Sequence, residues 1–159
     1  MNSIAITAAA LLMLQSTAAP KPAPQKPVAK PAAGAAKTAA DELPVTVTYK
    51  GKGTVDATHK ILVWLFADAN INSNSRPLSP APLTATKNNE TLVFKNVTTS
   101  PVYVFAVYDK TGGYDGVSGP PPAGIPSGPY RTAAKGAPAA VKPGAPIKLT
   151  FDDSEPWNK

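Results

Sequence analysis

The chain has no cysteine and one histidine among its 159 residues. These absences exclude a disulfide scaffold, a zinc-thiolate site, a cysteine nucleophile and a lipid anchor on an N-terminal Cys, and they leave too little for a multi-histidine metal centre. Charged residues make up 16% and aromatics 7% of the sequence. After residue 40 no segment carries a 3.6-residue apolar period of helical length, which argues against an α-rich domain. What is plentiful is proline, 19 residues, on a chain of net charge +6.

The charge is unevenly placed. Residues 20–40 carry Lys21, Lys26, Lys30 and Lys37 and no acid, whereas residues 41–159 carry 12 basic and 10 acidic side chains. The basic pI of about 9.6 therefore belongs mainly to a short stretch ahead of the domain, and a nucleic-acid partner is not expected.

Residues 1–19 hold an uncharged apolar run, Ile4 to Leu14, then the small residues Ser16, Thr17, Ala18 and Ala19. This is the layout of a signal peptide cleaved after Ala18 or Ala19, although no Lys or Arg precedes Ile4. At about 1.5 Å per residue the run covers roughly half of a ~30 Å hydrocarbon core, so no stable transmembrane segment is expected. Residues 20–42 form a Pro/Ala/Lys-rich linker with nothing to bury, expected to be disordered and extended in the polyproline manner. Such tracts resemble the spacers of bacterial envelope proteins. An exported chain is expected, whether periplasmic, at the cell surface or extracellular.

From residue 43 to 159 the pattern is that of strands. Val45, Val47 and Tyr49 alternate with Thr46, Thr48 and Lys50; Lys60 to Ala67 is apolar on both faces; Leu92 and Phe94 share a face; Val102 to Tyr108 is a second apolar run; and Ile147, Leu149 and Phe151 alternate inward. Asn96 to Ser100 has the length of a hairpin connection, and a weaker strand lies around Leu83 to Thr86. The expectation is an all-β fold, an antiparallel β-sandwich of about seven strands, prealbumin-like or immunoglobulin-like. Its core anchors are Trp64, Phe66, Phe94, Phe105 and Phe151. Residues 116–146 hold eight Pro and six Gly, and a structureless loop that long points to function, to chain folded back over the sheet, or to a hidden strand around Tyr130 to Ala134.

Candidate chemistry is sparse. His59 has the side chain of a general base, yet no nucleophile motif such as G-x-S-x-G accompanies it. Asp152, Asp153 and Glu155 read as a solvated terminal tail, since a glycosidase pair needs a cleft. Asp68 to Asn74 spaces its oxygens like an EF-hand opening but lacks the Gly and the closing Glu. Asp109, Thr111 and Asp115 flank a Gly-rich turn that could gather oxygens around calcium or simply turn the chain. Tyr114 and Tyr130, beside the Pro/Gly stretch, are the ligand-binding candidates.

The order of KILVWLFAD, TLVFKNVTTSPVYVFAVYDKTGGYDG, GPPPAGIPSGPY and IKLTFDD resembles secreted bacterial domains of the prealbumin-like or carboxypeptidase-regulatory-like kind. It is nearest to a family of unknown function marked by a strand ending in Tyr-Asp, a Gly-Asp turn and a Gly-Pro-rich segment. The matching positions are Tyr108-Asp109, Asp115-Gly116 and the Pro-Gly stretch, within residues 45 to 153. The resemblance implies a sandwich acting as an accessory or binding module and transfers no catalytic residue. The expected function is thus an exported, non-enzymatic module that meets a glycan, a peptide or an envelope protein. The alternatives are a calcium-stabilised adhesion or carbohydrate-binding module and a secreted hydrolase using His59.

Overall fold

The computed structural model describes residues 38–158. Residues 1–19, expected to be a signal peptide, and all but residues 38–42 of the expected linker lie outside the described residues. Within them the chain is all-β, with seven strands: β1 (Leu43–Tyr49), β2 (Ile61–Phe66), β3 (Leu83–Ala85), β4 (Glu90–Phe94), β5 (Tyr103–Tyr108), β6 (Ser127–Pro129) and β7 (Ile147–Phe151). They form a three-stranded sheet of order β4-β1-β7 and a four-stranded sheet of order β3-β2-β5-β6. Among the described residues no helix is long and apolar enough to cross a membrane. The chain enters β1 through a turn, Glu42 N donating to Ala39 O, and Val97 N and Gly144 N bind the carbonyls of Asp41 and Glu42.

The three-stranded sheet is one-sided, as its period of two requires. Val45, Val47, Leu149 and Phe151 point into the core, while Thr46 and Thr91 meet on the open face through their hydroxyls, 2.8 Å apart. The four-stranded sheet is apolar on both faces. Val63, Leu65, Val104 and Ala106 face the other sheet, and Leu62, Trp64, Phe66, Phe105 and Val107 face outward into a second cluster. That alternation is why the runs KILVWLFA and VYVFAVY carry no polar gap. All five aromatic anchors expected of the core are buried.

Three expectations need correction. The pairing is not wholly antiparallel, because β1 and β7 run parallel, with Val45 opposite Ile147 and Tyr49 opposite Phe151. Asn96 to Ser100 is not a hairpin: β4 belongs to one sheet and β5 to the other, so this segment changes sheets, pinned by Val97 N on Asp41 O. Loop length alone cannot distinguish a hairpin from such a corner. The hidden strand exists but is Ser127–Pro129, just before Tyr130 to Ala134. Ser-Gly-Pro has poor intrinsic strand preference, and its place beside β5 is imposed by packing: a Cβ at Gly128 would lie 2.8 Å from Phe151 Cβ.

Candidate functional site

The outer face of the four-stranded sheet is covered by loops, since the three-stranded sheet already occupies the other side. Ile71 comes from the β2–β3 connection, Tyr114 and Ile125 from the β5–β6 connection, and Trp157 from the C-terminal segment. The C-terminal segment is fastened rather than free. Ser127 N donates to Glu155 O, Trp157 N to Ile125 O and Gly124 N to Trp157 O, at 3.1, 2.7 and 2.8 Å, so residues 155–157 run antiparallel beside 124–127. The reading of Asp152, Asp153 and Glu155 as a free tail is corrected accordingly, although Asp152 and Asp153 are solvent-exposed as expected. Asp152 accepts from Ser154 N, Asp153 from Tyr49 Oη and Lys52 N, and Glu155 from Arg131 Nη2 at 2.7 Å. Each acid fixes a different point of the closing segment.

Asp109 builds the turn that carries Tyr114. Its carboxylate is fully buried; Oδ1 accepts from Thr111 N, Thr111 Oγ1 and Gly112 N, and Oδ2 accepts from Tyr114 N at 2.9 Å. Asp115 then turns the chain again, Oδ1 accepting from Val117 N and Ser118 N and Oδ2 from Ser118 Oγ. Both carboxylates have N–H and O–H groups aimed at them where a cation would need bare oxygens, and among the described residues no three His, Cys, Asp or Glu side chains gather as metal ligands do. Asp109, Thr111 and Asp115 do not fit calcium. They fit a loop frame.

The Ser118 hydroxyl first, with the Ser118 and Val117 N–H groups, holds the Asp115 carboxyl down at about 2. The folded chain therefore keeps this carboxylate ionised where an unfolded chain protonates it, so its contribution is complete above about pH 4 and disappears as pH falls through 2. We expect Asp115→Asn to flatten the fall in melting temperature between pH 4 and pH 2. Equal slopes for the two proteins in thermal melts across that range would contradict the assignment.

Between the loop cover's two parts lies a groove of about 840 Å³. Asn72 to Leu78 and Pro80 form one lip, and Tyr114 with Gly116 to Pro121 the other; Trp64, Phe66, Phe105 and Trp157 supply the floor. Tyr114 is half-buried, 6.2 Å from Trp64 ring to ring, with its hydroxyl donating to Gly119 O. Burial pushes its phenol up to about 12, so it stays neutral and donating at any physiological pH. Gly116 has φ +76° and leaves no room for a side chain: a Cβ would stand 2.7 Å from both Pro82 Cγ and Trp64 Cζ2. The lips carry exposed apolar residues, Leu78 at 43% and Val117 at 57%, two of the three large hydrophobic side chains exposed among the described residues.

A second, polar cavity lies at the end of the sandwich, where Tyr49 and Tyr108 stack at 4.1 Å and close the core. His59 is here, its Nδ1 3.2 Å from Asp56 Oδ1, and that oxygen also accepts from the backbone N–H groups of Thr58 and His59. Asp56 is thus the residue that closes His59's own turn. No serine lines this cavity, and the carboxylate of Asp153 is held by the Tyr49 hydroxyl.

Of the residues singled out from sequence, Tyr114 lies in the groove and Tyr130 does not. Tyr130 packs toward the core between the sheets, on the other side of the four-stranded sheet, so the two tyrosines are not brought together. Sequence reasoning missed Arg76, Leu78, Val117 and Trp157. The signal was present in Arg76-Pro77-Leu78 and in Val117 ahead of Pro120 and Pro121, apolar residues set among prolines in otherwise polar loops.

Scans against protein-family models, curated proteins and solved structures each return no match. The class is defined by the fold: an all-β two-sheet sandwich with one sheet's outer face roofed by loops and a C-terminal strap.

Proposed function

We propose that the protein is an exported, non-enzymatic binding module whose partner occupies the groove between the Asn72–Pro80 and Tyr114–Pro121 loops. The observation that carries this reading is the pair of exposed apolar residues, Leu78 and Val117, on facing lips of an aromatic-floored groove. A monomer gains nothing by leaving them in water, and prolines at 77, 80, 120 and 121 restrict the lips so that little ordering cost attends binding. The polar end cavity supports catalysis less well, because the partners of His59 and Asp153 are spent on holding turns and no serine accompanies them. The resemblance to secreted accessory domains, resting on Tyr108-Asp109, Asp115-Gly116 and the Pro-Gly stretch, agrees with a binding role.

The Leu78→Ser, Val117→Ser double variant is expected to melt as the parent does, to within about 0.5 kcal/mol per site, because both side chains are exposed. It should lose the envelope species that the parent retains. An unchanged retained profile would sink the groove reading. Export carries its own test: mass spectrometry of the protein recovered outside the cytoplasm should find Ala19 or Pro20 as the first residue, and an intact Met1 there would refute cleavage.

A further inference from the structure

We infer that the groove's occupant is a short extended protein segment bearing apolar side chains and one carboxylate, and that Arg76 is the residue that grips the carboxylate. This rests on the groove being the binding site. Arg76 is the sole charged side chain lining the groove, and it takes part in neither ion pair found among the described residues. Its guanidinium is exposed, next to Pro77 and Leu78 on the lip. A planar fork of donors with no acid in the same groove matches a carboxylate bidentately, and a cationic partner segment would meet repulsion with nothing to offset it.

The remaining lining decides between a peptide and a sugar. A sugar ring wants an open aromatic face, yet Trp64 and Trp157 are only 5% and 6% exposed, under the lips. The large apolar side chains exposed on the lips are instead aliphatic, Leu78 and Val117 with flanking prolines, which suits apolar side chains of a partner. On the Arg76 lip, Asn72 and Ser75 are committed to bonds inside their own loop. The side chains of Ser73 and Asn74 form no hydrogen bond among the described residues and are placed to pair with a partner's backbone amides. A cavity of about 840 Å³ holds a short segment, not a broad face.

The chain contains two tryptophans and both line the groove, so its intrinsic emission reports occupancy directly. The intact protein would be titrated with a tryptophan-free peptide pool built on a Leu-Pro-Glu-Leu core, with the matched Gln pool, and with polygalacturonate. We expect the Glu pool to shift the emission and to bind about tenfold more tightly than the Gln pool. Arg76→Gln should erase that difference, and Arg76→Lys should retain part of it. Equal binding of Glu and Gln pools would overturn the role of Arg76 while leaving the groove in place. A response to none of the three ligands would count against the groove itself. An Arg76-dependent response to polygalacturonate alone would overturn the choice of a peptide.

Discussion

Asp109→Ala should destabilise the domain by about 3 kcal/mol and lower its melting temperature by roughly 10–15 °C, although Asp109 touches no groove residue except through a backbone bond. Truncation strands the N–H groups of Thr111, Gly112 and Tyr114 and the Thr111 hydroxyl, all now served by one buried carboxylate. Hydrogen bonds to a charged acceptor contribute about 1.5–3 kcal/mol each, and the sum is reduced because Thr111 is exposed and its groups can regain water. Asp109→Asn keeps an acceptor for the three donors on Oδ1 but turns an amide toward Tyr114 N–H, so it should lose about half as much. The same variants should weaken partner binding, because the Tyr114 lip loses its anchor. Thermal melts showing Asp109→Ala within 1 °C of the parent would contradict this account of the turn.

Trp157→Ala is the second large effect, expected at about 3 kcal/mol. The residue is third from the C-terminus, where sequence position suggests tolerance, yet its ring packs edge-on against Phe105 at 5.4 Å and only 6% of it is exposed. Removing it opens the floor of the groove and unseats the strap that lies beside residues 124–127. Trp157→Phe separates packing from polarity. The indole N–H is buried with no hydrogen-bond partner among the described residues, so exchanging it for phenyl should cost about 1 kcal/mol, well below alanine. If urea melts place the two variants together, the ring is not packed as described.

Much of the fold is legible from apolar spacing. Val45, Val47 and Tyr49 declare a one-sided strand, and unbroken runs at Ile61–Phe66 and Tyr103–Tyr108 declare strands covered on both faces. What covers the second face is not legible, because Ile71, Tyr114, Ile125 and Trp157 are single apolar residues scattered over nearly ninety positions and united only by the fold. Ser127–Pro129 is illegible for the opposite reason: its own composition argues against a strand, and the edge of β5 and the bulk of Phe151 decide the matter. Tyr114 is within reach as a site residue because it stands beside the Pro/Gly-rich stretch. Asp109 and Asp115 look like cation ligands in sequence, where the N–H groups that occupy them are invisible.

The central claim is that binding takes place on the roofed face of the four-stranded sheet. Backbone hydrogen exchange of the intact protein, with and without the Glu-containing peptide pool, tests it most directly. Protection on binding should concentrate in residues 72–80 and 114–121, leaving the His59 end and the threonine face of the other sheet unchanged. Protection centred on Lys52 to Lys60, or on Thr46 and Thr91, with the two lips unaffected, would contradict it.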